Sequence, residues 1–301
     1  MLRLIIYPKN QLGILKLLKG FSFVADKFKK IKATSNAFCR GLRRRLRDQP
    51  HLLTTPSTPR IDDTFLVEFP KSGITWLTFL IASVNLQKSG IDRQPTFFAI
   101  NDLVPDIHTS RHLPKPLPFP GHRFIKSHAP HNPLYSKVIY LVRDPRDVMA
   151  SYHAFATKLG WYQGSLSDMI RDQHFGIEAW VNHAQSWLTQ TRPSVSFNVI
   201  RYEDLRSDTA GVLKHIYALL GFTIEPEVIH TAVESSSFSK MKANEDFCTD
   251  RNLTLPSDFT FVRKGGNSHK EEISAEDLGY IEQLAGETMK VFGYECHPNE
   301  E

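Results

Sequence analysis

With 301 residues, 41% of them hydrophobic and 11% aromatic, the chain can bury a full α/β core, and one large domain with an appendage fits better than two equal halves. Its three cysteines, Cys39, Cys248 and Cys296, share neither disulfide-like nor metal-like spacing, which argues against a disulfide scaffold or a cysteine-held metal. No uncharged apolar stretch approaches the about 18 residues of a membrane-spanning helix, and the net charge of +5 is unevenly placed.

Residues 1–50 hold 13 Lys and Arg against Asp26 and Asp48, a net +11, which leaves the rest of the chain at −6. Leu12, Leu15 and Leu18, then Phe21, Val24, Phe28 and Ile31, have roughly helical spacing beside Lys16 and Lys19. That pattern permits an amphipathic helix in peripheral contact with an anionic membrane surface; a solvated or partner-docked extension is the plainer reading. No clear signal-peptide core or cleavage site is visible, so a cytoplasmic location is expected. Nucleic-acid binding is not expected, because aromatic platforms and a known module are missing. His51 to Pro59 reads as a linker, which divides the chain into an extension, 1–58, and a domain, 59–301.

The domain alternates strand-like and helix-like stretches. Strands are predicted over 64–69, 123–127, 137–142 and 195–201. Helices are predicted over 76–87, 146–157, 174–190, 208–220, 225–234 and 274–291. Such alternation predicts an α/β fold: a three-layer, doubly wound, mostly parallel sheet with helices on both faces. Ligands of such sheets bind beyond the carboxyl ends of the strands, and most chemistry-bearing residues fall there.

Pro70-Lys71-Ser72-Gly73-Ile74-Thr75-Trp76 follows the first strand. A short loop with one glycine opening a helix presents backbone N–H groups and a helix N-terminus to an anion. Lys71 adds a point charge, Ser72 and Thr75 add hydroxyls, and Trp76 adds a flat face. The Walker A spacing is absent. Lys126-Ser127-His128-Ala129-Pro130 ends the second strand, where a histidine is by default structural. Arg143 ends the third and could fork onto a phosphate or pair with Asp147, with Ser151 eight positions on. Tyr202-Glu203-Asp204-Leu205 ends the fourth. Ser235-Ser236-Ser237-Phe238-Ser239-Lys240-Met241 and Arg263-Lys264-Gly265-Gly266 complete the set. Asp208 is a plausible N-cap. His108 and His112 are four apart, but no third ligand supports a zinc site.

Pro-Lys-Ser-Gly-x-Thr-Trp resembles the 5′-phosphosulfate loop of cytosolic-type sulfotransferases, whose donor is 3′-phosphoadenosine 5′-phosphosulfate (PAPS) and whose product is PAP. The other five segments resemble that family's further motifs in order, over roughly residues 60–295. The resemblance implies the P-loop NTPase-like sulfotransferase fold. It assigns Lys71 to Trp76 to the 5′-phosphosulfate, with Ser72, Gly73, Ile74 and Thr75 in the cradle. Arg143 and Ser151 go to the 3′-phosphate, and Tyr202 to the adenosine. It places Ser236, Ser237, Phe238 and Met241 along the adenine, and wraps Arg263, Lys264 and Gly265 around the 3′-phosphate. His128 becomes the general base, Lys126 faces the sulfonyl oxygens, and Lys71 offsets charge on the leaving phosphate. The family's Gly-Asp-Trp-Lys continuation is absent, with Asn267-Ser268-His269-Lys270 in its place.

The expected function is therefore in-line transfer of a sulfuryl group from PAPS to a hydroxyl or amine of a small-molecule or glycan acceptor. No metal is expected, since Lys and Arg supply the charge. The alternatives are a PAPS/PAP-binding protein without efficient turnover and a nucleotide-dependent kinase. Segments 91–120 and 155–175 are expected to line the acceptor pocket, where Phe97, Phe98, Phe155, Trp161 and Tyr162 suit an apolar or aromatic acceptor. Oligomeric state stays open.

Overall fold

The computed structural model describes residues 50–245 and 273–296. The chain divides into two units, Met1–Leu52 and Leu53–Glu301, and everything below belongs to the second. The basic segment and the Arg263-Lys264-Gly265 motif lie outside the described residues. Thr54 to Thr58, read as linker from the sequence, is tied to the body. Asn132 donates to the hydroxyls of Thr54 and Thr55, and Arg123 donates to the Thr58 carbonyl.

Four strands form one parallel sheet: β1 (Thr64–Glu68), β2 (Phe124–Ser127), β3 (Lys137–Val142) and β4 (Ser196–Arg201). Their order across the sheet is β2-β1-β3-β4. The chain steps from β1 to one side and returns to the other, so the topological switch point lies between β1 and β3. That crevice is where doubly wound sheets bind ligands.

Alternate side chains of the central strands feed two separate cores, as the two-residue period of a strand requires. Phe65, Val67, Val138, Tyr140 and Val142 face one layer; Leu66, Ile139 and Leu141 face the other. The first layer is built by α3 (Pro145–Lys158), α5 (Ile177–Gln190) and α10 (Ala275–Val291). It packs Met149, Trp180, Trp187, Ile281 and Met289 onto the sheet. The second comprises α1 (Ile74–Lys88), α7 (Thr209–Leu219) and α8 (Pro226–Ser235), through Leu77, Ile81, Leu213, Tyr217 and Ile229. With both faces covered, β1 is buried throughout, and Phe65-Leu66-Val67 form an unbroken apolar run between Thr64 and Glu68. Short helices join these layers: α2 (Ile100–Leu103), α4 (Leu166–Ile170), α6 (Tyr202–Ser207) and α9 (Phe238–Glu245). Among the described residues no helix is long and apolar enough to cross a membrane.

Capping fixes where the helices start. Pro145 opens α3 while the Asp144 side chain accepts from the Arg146 amide at 2.9 Å. Asp208 caps α7 by accepting from Gly211 N at 2.9 Å, and Ser274 caps α10 through Asp277 N at 3.1 Å.

Candidate active site

The loop after β1 is shaped by its backbone. Lys71 has φ 76° and Gly73 has φ 111°, both in the left-handed region. A Cβ on Gly73 would lie 2.5 Å from Cδ2 of Tyr202, so the glycine is required by a close approach as well as by its φ. Ser72 is fully buried and its hydroxyl donates to the Phe69 carbonyl at 2.9 Å, closing the loop on itself. The helix starts at Ile74, two residues earlier than the sequence predicts. No side chain of Gly73 caps it; the Ile74 amide donates instead to Oε2 of Glu68 at 2.8 Å. Lys71 extends its ammonium over the Phe155 ring, 4.0 Å from the centroid. Thr75 is half-buried in the first turn of α1.

At the end of β2, Lys126 pairs with Oδ2 of Asp106 at 3.2 Å. The Ser127 hydroxyl accepts from Ala129 N at 3.1 Å and lies 3.2 Å from the Tyr135 hydroxyl. The His128 amide donates to Nε2 of His108 at 2.9 Å, so that nitrogen carries no proton. The His108 amide in turn donates to Asp106 Oδ1 at 2.9 Å. Nδ1 of His128 is turned inward, 3.7 Å from Oε1 of Glu68. His112, four residues from His108, points elsewhere, to the Ser57 hydroxyl.

Arg143, at the end of β3, is 7% exposed. Its guanidinium lies 4.6 Å from the Tyr202 ring centroid and 3.5 Å from Asp147 Oδ2. The ion pair weighed from the sequence therefore exists, but buried rather than on the surface. Ser151 stands half-buried two turns along α3. Past β4, Tyr202 meets Trp76 edge-on at 6.2 Å. Glu203 ties three elements together, accepting from Asp144 N at 3.1 Å and from the Tyr294 hydroxyl at 2.8 Å. The Trp76 indole donates to the Ser236 carbonyl at 3.0 Å. Ser236 is fully buried with its hydroxyl unpartnered, Met241 is buried, and the Phe238 ring stays 37% exposed. Ser237 lies 3.5 Å from Ser239, hydroxyl to hydroxyl.

Charge and burial set the protonation states. Burial, then the Lys126 cation, push the His128 imidazole well below its ordinary range, so it is neutral at physiological pH. Burial pushes Glu68 up to about 7, against the pull of Lys126, the Ile74 amide and Lys71. Asp106 is held below its ordinary value despite its burial, because Lys126 faces it. Burial also lowers His108.

The loop carrying Lys71, the pair Lys126 and His128, Arg143, and Tyr202 thus stand at the carboxyl ends of four adjacent strands. Sequence reasoning missed Glu68, Asp106 and His108 as members of this cluster. Their signal is weak: one acidic residue ending an apolar strand, and an Asp-x-His in a loop. In the segment expected to line an acceptor pocket, Phe155 and Trp161 pack edge-on at 5.5 Å, and Tyr162 leans on Phe175 at 5.6 Å. Phe98 and Trp161 stay half exposed. Phe97 packs on Phe79 at 4.8 Å.

The sulfotransferase domain family matches residues 61–293. Sulfotransferase 2A6 of Rattus norvegicus is 32% identical over 247 residues, covering 75% of this chain and 85% of its own. The 3-beta-hydroxysteroid sulfotransferase of Cavia porcellus is 32% identical over 265 residues, covering 78% and 88%. Among solved structures, mouse sulfotransferase SULT7A1 complexed with PAP superposes with a TM-score of 0.58 at 25% identity, over 80% of this chain and 88% of that one.

Proposed function

Because this chain belongs to the sulfotransferase domain family, we propose that it moves a sulfuryl group from PAPS to a hydroxyl or amine of a small apolar acceptor, with His128 as general base. Family membership carries sulfuryl transfer as such. The donor, the base and the acceptor class rest on the site. One observation carries them: the neutral imidazole of His128 stands one strand away from an anion cradle at the switch point of the sheet.

The residues present fit a nucleotide with an anion at each end. The Lys71–Gly73 turn and the N-terminal end of α1 suit a 5′-phosphosulfate, with the Ile74 amide itself taken by Glu68, and the Gly73 approach leaves no room there for a side chain. Arg143 and Ser151 would take the 3′-phosphate, joined by Arg263, Lys264 and Gly265. Trp76, the exposed Phe238 ring, Ser236, Ser237 and Met241 would seat the adenine, with Tyr202 against the adenosine. When bound, the donor supplies an electrophilic sulfur and a phosphate leaving group.

The protein's own groups do the rest. His128 takes the acceptor proton as attack proceeds, which a neutral imidazole can do near pH 7. Lys71 offsets charge developing on the leaving phosphate, and Lys126, oriented by Asp106, steadies the sulfonyl oxygens. Catalysis by positioning and charge follows the pattern of phosphoryl transfer. For the acceptor, the aromatic cluster of Phe155, Trp161, Tyr162 and Phe175 favours a ring-bearing alcohol. The hydroxysteroid named for the Cavia porcellus relative is one such molecule.

Labelled sulfate followed from PAPS onto a panel of hydroxysteroids, phenols and amines tests this reading. Transfer to at least one alcohol is expected. In His128→Ala, turnover should fall about a hundredfold or more while PAP affinity survives. PAP binding without transfer to any acceptor would leave a donor-binding protein, and wild-type turnover in His128→Ala would remove the base assignment.

A further inference from the structure

We infer that Glu68 is a positioning residue for this reaction: its carboxylate takes the Nδ1 side of His128 and holds the imidazole with Nε2 free for the acceptor proton. The inference rests on His128 acting as the base. Glu68 ends β1 with 2% of its surface exposed. Oε2 accepts from the Ile74 amide at 2.8 Å, the Lys71 amide also bonds the carboxylate, and Oε1 lies 3.7 Å from Nδ1 of His128. Nδ1 is itself buried and without a hydrogen-bond partner. A movement of under about 1 Å closes that gap to a hydrogen bond, the kind of tightening that active sites undergo when substrate binds.

Several groups around this pairing already have partners. The His128 backbone is anchored by His108, Lys126 is engaged by Asp106, and the Tyr140 hydroxyl is 3.0 Å from His183 Nδ1. Lys71, Lys126 and His128 are the charged or titratable groups facing Glu68, with Tyr140 behind it. A capping carboxylate that also orients the base is the logic of a base held by a third group.

In the step, the acceptor oxygen bonds to sulfur while its proton passes to Nε2. The bond from sulfur to the phosphate oxygen breaks, and its electron pair leaves on PAP. Above pH 7, where Glu68 is ionised, the Nδ1–H remains on the ring and hydrogen-bonded to the Glu68 carboxylate, whose negative charge stabilises the imidazolium.

Glu68→Gln keeps an oxygen for the Ile74 amide and removes the charge. We expect kcat to fall tenfold or more, with the PAP dissociation constant and the KM for PAPS unchanged within about twofold. The acid limb of kcat should move to lower pH, because an imidazole without its carboxylate is less basic. Wild-type kcat with an unmoved limb overturns the pairing, and so does a parallel loss of PAP affinity, which marks a purely structural role. Nitrogen-15 spectra of the wild-type protein with PAP need no Glu68 variant to fold. At pH 8, where Glu68 is ionised, they should show neutral His128, assigned by its loss in His128→Ala, protonated at Nδ1; protonation at Nε2 overturns the pairing. Inactive His128→Ala beside fully active Glu68→Gln removes only the pairing, whereas active His128→Ala removes the base assignment beneath it.

Discussion

Lys71 at φ 76° and Gly73 at φ 111° bracket the buried Ser72, so the loop before α1 holds two positive-φ residues within three positions. A non-glycine residue held there stores on the order of 1–3 kcal/mol, and such strain concentrates where a backbone must meet a ligand. Gly73→Ala adds that strain and a 2.5 Å clash with Tyr202. It should lower the melting temperature and weaken PAP binding at least tenfold, read by thermal unfolding and calorimetry. Lys71→Ala should behave differently. It relieves no clash, leaves melting nearly unchanged, and lowers kcat on the order of a hundredfold, because the lost cation acts where charge develops. Lys71, Lys126, His128, Arg143 and Tyr202 were legible in the sequence because each motif is contiguous and ends a strand-like run. Glu68, Asp106 and His108 were not. Their partners lie across strands, and burial, which sets their protonation, leaves no mark on a linear pattern. Ser72 shows the converse: its spelling suggests an anion-binding hydroxyl, while its hydroxyl here folds back on Phe69.

Longer elements carry their own signatures. The four strands and six long helices follow from period-2 and period-3.6 apolar spacing, with ends shifted by a residue or two and, in α5, a start three residues later, at Ile177. Pieces of four to eight residues, α2, α4, α6 and α9, span too few turns to show a period, and all four went unseen. Strand order also lies outside local pattern, since it depends on which crossover packs on which face. Where a cap is spelled by one residue, the prediction is direct. Asp208 caps α7 from outside the site, so Asp208→Ala should cost about 1 kcal/mol. The melting temperature should drop by a few degrees with kcat and PAP affinity unchanged. A change in kcat would mean that α7 reaches the chemistry through α6 and Tyr202.

Taken together, the two cores clamp a sheet whose carboxyl edge buries titratable groups of opposite tendency, and this sets how stability should vary with pH. His183 is held down to about 4 by burial, below the about 6.5 of an unfolded histidine. Its contribution is therefore present above pH 6.5 and lost as pH falls through 4, about 3 kcal/mol in all. His108 and His128 are lowered as well and add in the same sense. Glu68 runs the other way. Raised to about 7, it contributes stability fully present below its unfolded value near 4.5 and lost as pH rises through 7, again about 3 kcal/mol. Between pH 4.5 and 7 the two senses oppose, and three histidines outweigh one carboxylate, so the wild-type protein should lose stability on acidification, but gently. Glu68→Gln removes the opposing group. Its unfolding free energy should exceed that of the wild type at pH 8 more than at pH 4.5, by about 3 kcal/mol in the difference, and should fall more steeply as acid is added. Urea melts of both proteins at the two pH values measure that difference. An equal offset at both would mean that Glu68 carries no raised pKa in the folded protein.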